Sequence, residues 1–290
     1  MNAAILADRL GLVKRPRSWA GTCPACDYAR AFSIRPGKGE RVRVHCANGC
    51  TFDQLDDVLR RVAGADWTPP EPPPDGQPKA AHGTKKEAAI RMWSRSIPAP
   101  GTLADRYLVG RALPGLARSA ALRFLGDCQH PEGGKYPAMV ALVLDAAGQP
   151  QAVHRTYVAR DGAGKARVDP ARASLGPVWG GAVRFDGYDP DRPLVIGEGL
   201  ETSASAGRLI GAPAWAALSA GNLARALVLP PDIRRVVIAL DPDLSGERAA
   251  RDAAQRWAAE GRTVQLARPA GPGDFNDTLA ALAVGEAAHG

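Results

Sequence analysis

The sequence predicts an α/β protein with a central parallel sheet flanked by helices, preceded by a mixed α+β segment and a small cysteine-rich module. Three observations predict this class. From residue 192 onward, strand-like runs alternate with helical segments. These runs are apolar throughout, as is typical of strands that are covered on both faces. A proline-rich segment, 66–84, separates the cysteine-rich first quarter from the body of the chain.

The second half of the body supplies four strands and two helices. The strand-like runs are "PLVIGE", "PAWAAL", "RRVVIAL" and "TVQLARP", at 193–198, 213–218, 234–240 and 263–269. Segments 201–211 and 245–261 have the spacing of helices, and each finishes at a glycine. Strands joined by helices in this way are expected to run parallel.

The first half of the body predicts a mixed α+β subdomain. Residues 87–110 are predicted to be helical, because Ala88 and Met92, and then Leu103 and Tyr107, recur at the spacing of a helical turn. Residues 137–158 predict a β-hairpin, since two strand-like runs flank the turn residues "DAAGQ".

Composition and charge limit the possible functions. The chain has 290 residues, of which 45% are hydrophobic and 23% charged, as in ordinary globular proteins. No apolar stretch reaches the length of a membrane span, and the start lacks the pattern of a signal peptide, so we expect a cytoplasmic location. The net charge of +7 suits a polyanionic partner, and residues 1–65 carry 11 Lys and Arg against six Asp and Glu.

We divide the chain into four parts on this basis. They are a cysteine-rich module, a proline-rich linker with six prolines, a mixed α+β subdomain and an α/β domain, at 1–65, 66–84, 85–191 and 192–290. A linker of this composition is extended and semi-rigid.

Four of the five cysteines form two close pairs, "CPAC" and "HCANGC". Paired cysteines on either side of a predicted hairpin are typical of a structural zinc site. We assign Cys23, Cys26, Cys46 and Cys50 as the ligands, with His45 as an alternative to Cys46. Four basic residues of the same hairpin are candidates for contact with a phosphate backbone: Arg35, Lys38, Arg41 and Arg43.

Acidic residues follow three of the predicted parallel strands. Glu198 follows the first, Asp241 and Asp243 follow the third, and Asp274 and Asp277 follow the fourth. Ligand sites of parallel sheets lie beyond the carboxyl ends of the strands, so these side chains are expected to converge. Clustered carboxylates repel one another unless a cation binds, and their hard oxygens suit Mg²⁺ or Mn²⁺. Glu201 has a second interpretation, as an acidic residue that only favours a helix N-terminus.

The segments "VIGEGLET" and "ALDPDLSGERAA" resemble the glutamate and paired-aspartate motifs of the Toprim domain, over about residues 192–285. Primases, topoisomerases, some nucleases and a recombination mediator share this domain. The resemblance implies that Glu198 is a catalytic or metal-adjacent acid and that Asp241 and Asp243 are catalytic metal ligands. "GDFND" is similar to a later acidic position of phage and plasmid members.

The order of the remaining segments resembles that of bacterial primases, which begin with a zinc ribbon. "AVHRTY" and "GKARVDP" occupy the place of two basic segments of those enzymes. The resemblance implies that Arg155 and Lys165, with Arg167 beside them, face template or nucleotide. On charge alone, a solvated hairpin explains these three residues as well as contact with template or nucleotide does.

We therefore expect a DNA-dependent primase, of a phage or mobile element, that joins nucleoside triphosphates on single-stranded DNA. Expected cofactors are structural zinc and catalytic Mg²⁺ or Mn²⁺, and a replicative helicase acting in trans is a further expected partner. Two alternatives stay open: a non-enzymatic Toprim recombination mediator and a Toprim nuclease. The intact acidic set argues against the mediator, and the absence of a phosphate-binding G-x-x-x-x-G-K-[ST] loop argues against the nuclease.

Overall fold

A computed structural model describes residues 2–25, 32–37, 41–46, 50, 52–64, 67 and 80–287 of the chain. It divides the chain into two compact units, Met1–Pro78 and Lys79–Gly290. The division falls inside the predicted linker, 66–84, and the first helix of the second unit begins at Ala80.

The first unit is a small antiparallel sheet with two helices. Its elements are α1 (Ala3–Arg9), β1 (Val13–Lys14), β2 (Trp19–Gly21), β3 (Phe32–Pro36), β4 (Val42–Cys46) and α2 (Phe52–Ala63). The sheet order is β1-β2-β3-β4, and β3 pairs with β4 as the hairpin that the cysteine spacing predicts. Leu6, Phe32, Ile34 and Leu59 are fully buried and form its small apolar core.

The second unit begins with a five-stranded antiparallel sheet. Its elements are α3 (Ala80–Arg95), β5 (Ile97–Pro98), α4 (Leu103–Gly110), a 3-10 helix (Leu116–Arg118), β6 (Leu122–Gln129), β7 (Lys135–Leu144), β8 (Pro150–Tyr157) and β9 (Arg172–Leu175). The strand order follows the chain, β5-β6-β7-β8-β9. Strands β7 and β8 are the hairpin predicted at 137–158.

The two faces of this antiparallel sheet belong to two different cores. Val140 of β7 packs with Ala89 of α3 on one face. Met139 and its neighbours on the opposite face share a continuous core with Leu200 and Val195 from the last third of the chain. The side chains of successive strand residues therefore point alternately towards α3 and towards the second sheet.

The second sheet is parallel apart from one edge strand. Its elements are β10 (Val183–Arg184), β11 (Leu194–Gly197), α5 (Leu200–Ile210), β12 (Ala214–Ala216), a π-helix (Asn222–Ala226), β13 (Arg235–Ala239), α6 (Leu244–Ala259), β14 (Thr263–Ala267) and α7 (Phe275–Ala287). The order is β10-β12-β11-β13-β14, and only the β10–β12 pairing is antiparallel. The α/β class and the four predicted parallel strands are confirmed.

One prediction about elements needs correction, and the long strand β6 was not predicted. The helix expected over 87–110 is two helices, α3 and α4, separated by β5, because Pro98 and Pro100 lack the backbone donors that a continuous helix requires. Strand β6 was missed, since its ladder is interrupted by a register shift between Leu125 and Cys128, which disturbs the alternation of polar and apolar residues. None of the described helices combines the length and apolar character needed to cross a membrane.

Candidate functional site

The connections of the parallel sheet place its acidic residues at a topological switch point. Strands β11 and β13 are neighbours, whereas the strands that follow them, β12 and β14, lie on opposite outer sides. Right-handed crossovers then carry α5 and α6 to opposite faces, which opens a crevice at the carboxyl ends of β11 and β13. Glu198 follows β11 directly, and Asp241 lies two residues beyond the end of β13.

Glu198 is held close to the other carboxylates. Burial, followed by the charges of Asp241 and Asp243, raises the pKa of Glu198 to about 7. The backbone N–H of Ala220 donates to its carboxylate and works in the opposite direction. The N–H of Leu218 also donates to the carbonyl oxygen of Glu198, at 2.8 Å. The loop after β12 is therefore hydrogen-bonded to both the backbone and the side chain of Glu198.

Asp241 experiences the same repulsion. Burial raises its pKa, as do the charges of Asp274 and Asp243, while the Thr202 hydroxyl donates to it and lowers the pKa. Repulsion of this kind between clustered carboxylates is relieved when a cation binds.

Asp243 caps helix α6, which explains the glycine in "DPDLSG". Its carboxylate accepts a hydrogen bond from the N–H of Gly246 at 2.7 Å. A Cβ at Gly246 would lie 2.5 Å from the carbonyl oxygen and 2.9 Å from the Cβ of Asp241. Only glycine therefore allows the first turn of α6 to approach Asp241 so closely.

Asp274 and Asp277 form a capping box at the start of α7. The Asp274 carboxylate accepts from the N–H groups of Asn276 and Asp277, at 2.8 and 3.0 Å, and the Asp277 carboxylate accepts from the N–H of Asp274 at 3.0 Å. This reciprocal arrangement gives both residues a structural role. Asp274 also lies close enough to Asp241 to raise its pKa, so it contributes negative charge to the crevice.

The donor set fits a hydrated divalent cation better than a closed protein cage. Among the described residues, three thiols are the only group of three potential ligand atoms within 4.8 Å of one another, so the carboxylates have not closed on a common point. Mg²⁺ usually keeps several waters and takes one or two protein carboxylates, which matches a crevice lined by Glu198, Asp241 and Asp243.

A second charged cluster, which the sequence did not predict, lies beside the acidic crevice. The Glu201 carboxylate, in the first turn of α5, accepts a hydrogen bond from the Tyr107 hydroxyl. Lys165 Nζ lies 3.2 Å from Glu201 Oε1, and Arg172 Nη1 lies 4.0 Å from Oε2. The charge of Arg172 also lowers the pKa of Glu198 and of Asp241, so Arg172 lies near both clusters.

Arg155, which the resemblance implied would face template or nucleotide, has a buried side chain in the structure. Arg155 is only 6% exposed, and its guanidinium donates to the carbonyl oxygens of Gln129, Ala173 and Ser174, each at 3.1 Å. It is paired with Val140 on β7, on the face that packs with α3. The adjacent residue His154 is paired with Ala141, on the opposite face, and it lies near Arg172 and Glu201.

His154 belongs to the surroundings of the charged cluster. Its Nδ1 lies 3.0 Å from Ser174 Oγ, and burial, followed by the charge of Arg172, lowers its pKa to about 4. Lys165 is half-buried beside Glu201, whereas Arg167 is exposed.

Three of the predicted zinc ligands converge in the first unit. Sγ atoms of Cys23, Cys46 and Cys50 all lie within 4.8 Å of one another, and those of Cys23 and Cys50 are 3.9 Å apart. A tetrahedral zinc site with Zn–S bonds of about 2.3 Å separates two sulfurs by about 3.8 Å, so the spacing fits zinc and is far too long for a disulfide. Cys26, the fourth predicted ligand, lies outside the described residues.

The basic residues of the β3–β4 hairpin share a surface. Arg35 and Arg43 are directly opposite each other in the ladder, and both are exposed, as is Arg41. Like charges facing each other across a ladder are unfavourable unless an anion lies nearby, which suits a phosphate backbone. Lys38 lies outside the described residues.

The chain matches two family models. Residues 193–283 match the model described as the Toprim domain, and residues 83–185 match a domain of unknown function, DUF7146. Residues 193–283 therefore form a Toprim domain, as the two acidic motifs predicted. The DUF7146 match covers the antiparallel sheet with α4 and most of α3.

Several solved structures that match the chain are primases. The zinc-binding and RNA polymerase domains of the Aquifex aeolicus primase are 12% identical with a TM-score of 0.46, over 99% of this chain and 81% of that one. The primase fragment of the bacteriophage T7 primase-helicase protein is 12% identical with a TM-score of 0.41, over 94% and 98%. The RNA polymerase domain of the Mycobacterium tuberculosis primase is 15% identical with a TM-score of 0.45, over 70% and 82%. No curated protein matches the chain.

Proposed function

We propose that this protein is a DNA-dependent primase of a phage or mobile element, which makes short primers on single-stranded DNA from nucleoside triphosphates. The observation that carries the proposal is the convergence of Glu198, Asp241 and Asp243 at the switch point of a Toprim sheet. Lys165 and Arg172, which pair with the neighbouring Glu201, add positive charge, as a site that handles triphosphates requires.

In the proposed reaction the 3′-hydroxyl of the primer attacks the α-phosphorus of the incoming nucleotide. A new O–P bond forms, the bond from the α-phosphorus to the bridging oxygen breaks, and pyrophosphate leaves with that oxygen. A divalent cation held by Asp241 and Asp243, when bound, neutralises the charge that develops on the phosphate oxygens. The raised pKa of Glu198 suits it to accept the proton of the attacking hydroxyl or to complete the metal site.

The first unit is proposed to contact the template. Zinc at Cys23, Cys26, Cys46 and Cys50 would hold the β3–β4 hairpin in shape, so that Arg35, Lys38, Arg41 and Arg43 can follow the DNA backbone. We also propose that the activity is cytoplasmic and that a replicative helicase acting in trans is a partner.

Primer synthesis on circular single-stranded DNA, with labelled nucleoside triphosphates and Mg²⁺ or Mn²⁺, tests this proposal. We expect short labelled products from the wild type and from Glu260→Gln, which removes an exposed carboxylate at the far end of α6, but none from Glu198→Gln. DNA binding without synthesis would favour a recombination mediator, and shortening of an end-labelled strand would favour a nuclease. Either result would overturn the primase proposal.

A further inference from the structure

Glu201 is a buried carboxylate that the proposed chemistry does not use. Its side chain is 5% exposed, and it lies in the first turn of a helix whose residues 200–207 are all buried. Burying a charge is costly unless it is paired, and a well-packed apolar residue would often be at least as stable. Stability alone therefore gives a poor account of a charged group at this position.

The carboxylate remains ionised because three groups surround it. Burial raises the pKa of Glu201, but the charge of Lys165, the hydrogen bond from Tyr107 and the charge of Arg172 lower it to about 2. The Tyr107 hydroxyl in turn has a raised pKa, chiefly through burial and then through Glu201, so it acts as a fixed donor. Glu201 is thus a permanent negative charge that is anchored from α4.

Both cations come from the antiparallel subdomain, and both retain exposed surface. Lys165 lies on the loop after β8 with 33% of its side chain exposed, and Arg172 begins β9 with 49% exposed. An isolated bridge between Val158 and Lys165 fixes the backbone of the loop at this point. Each of the two cations therefore has one side towards Glu201 and another side towards solvent.

Without Glu201, these cations have other negative groups to pair with. The charge of Arg172 already lowers the pKa of Glu198 and of Asp241, so a direct pair with one of these carboxylates is the alternative to its pair with Glu201. Such a pair would compete with a divalent cation for the same carboxylates. In the structure Glu201 offers both cations another partner, since its carboxylate oxygens lie 3.2 Å from Lys165 Nζ and 4.0 Å from Arg172 Nη1. A flexible four-carbon stem such as that of Lys165 does not keep one position without such a partner.

We propose that Glu201 is a positioning residue that holds Lys165 and Arg172 at the rim of the acidic crevice, where they contact the triphosphate of the incoming nucleotide. This inference rests on the proposed function, because it assigns the phosphate contacts of the same site. Tyr107 supports the arrangement by orienting the Glu201 carboxylate from a different subdomain element. The ligand class is a nucleoside triphosphate with its divalent cation.

The test compares Glu201→Gln with the wild type in two assays. The first measures binding of a fluorescently labelled ATP in the presence of Mg²⁺, and the KM and kcat of primer synthesis. The second measures the thermal shift caused by Mg²⁺ without nucleotide. We expect Glu201→Gln to weaken nucleotide binding and raise KM about tenfold, to change kcat by less than about threefold, and to keep the Mg²⁺-induced shift. An unchanged KM would overturn the proposal.

Three further single variants and one double variant complete the design. Lys165→Gln should raise KM in the same way, and combining it with Glu201→Gln should add little, because the two residues act as one unit. Fully multiplicative effects would overturn the proposal. Glu260→Gln and Arg160→Gln, which alter exposed residues, should keep the wild-type KM.

Tyr107→Phe provides the test if Glu201→Gln does not fold. It removes one hydroxyl and leaves every charge in place, so we expect a smaller rise in KM in the same direction. No rise would overturn the proposal.

A wild type that binds Mg²⁺ and ATP without making primers would refute the proposed function only, provided that Glu201→Gln still weakens binding. A wild type that makes primers, with an unchanged KM in Glu201→Gln, would refute only the positioning role.

Discussion

Replacing His154 by asparagine should make the second unit less sensitive to acid. His154 is 8% exposed on β8, and burial, followed by the nearby charge of Arg172, lowers its pKa from 6.5 to about 4. The folded protein therefore keeps this imidazole neutral at pH values where the unfolded chain protonates it. Asparagine does not titrate, and it offers a polar atom near the position of Nδ1 for the Ser174 hydroxyl.

The size of the effect follows from the two pKa values. A gap of about 2.5 pH units at about 1.36 kcal/mol per unit gives about 3 kcal/mol. Because the folded pKa is the lower one, this contribution is fully present above pH 6.5 and is lost as the pH falls from 6.5 through 4. In that window the unfolded state binds the additional proton and becomes relatively more stable.

Urea unfolding of residues 79–290 at pH 7.5, 5.5 and 4, for wild type and His154→Asn, measures this directly. We expect the free-energy difference between the two proteins to shift in favour of the variant by about 3 kcal/mol between pH 7.5 and 4. A difference that does not change with pH would show that His154 contributes contacts but no titration, and would refute the reasoning.

Three further predictions concern the zinc module, the Toprim core and the template surface. Purified protein should contain about one zinc per chain, and Cys46→Ser should lose it, as elemental analysis will show. Gly207→Ala should lower the free energy of unfolding by about 1–3 kcal/mol, because the new Cβ would lie 2.6 Å from that of Ala214. Gly110→Ala, with no atom within 4 Å of its new Cβ, should leave stability unchanged or raise it. Arg43→Ala should reduce the salt dependence of single-stranded DNA binding by about one phosphate contact, whereas an unchanged slope would remove Arg43 from the template surface.

The parallel sheet and its acidic residues were predictable from the sequence for a physical reason. Strands buried on both faces must be apolar along their whole length, so β11 and β13 stand out from their surroundings. A carboxylate placed directly after such a strand lies at the sheet edge whatever the rest of the fold does. Glu198 and Asp241 were therefore located without any knowledge of tertiary contacts.

The contacts around Glu201 could not be predicted in this way. Tyr107 and Glu201 are 94 positions apart, and Tyr107 has the spacing of an ordinary core residue of a helix. The burial of Arg155 could not be predicted either, although the question concerns two residues that are adjacent in sequence. Which of two neighbouring residues on β8 faces the site depends on the pairing register with β7, where Arg155 is opposite Val140 and His154 is opposite Ala141.

The prediction of a single helix over 87–110 was wrong for a different reason. The apolar spacing continues through the break between α3 and α4, whereas the backbone does not, because Pro98 and Pro100 interrupt the hydrogen bonds of a helix. Periodicity reports which side chains are buried, and in this segment it does not report how many elements bury them.

Thermal unfolding of Asp241→Asn and Asp243→Asn with and without Mg²⁺ or Mn²⁺, run beside primer synthesis, tests the central claim most directly. Each change removes one charge from a repelling cluster, and an asparagine at position 243 can still cap α6. Without metal, both variants should therefore unfold at the wild-type temperature or above it, and both should lose the stabilisation by divalent metal and the ability to make primers. A variant that keeps full primer synthesis, or that unfolds at a lower temperature without metal, would show that these carboxylates are structural and would contradict the catalytic account.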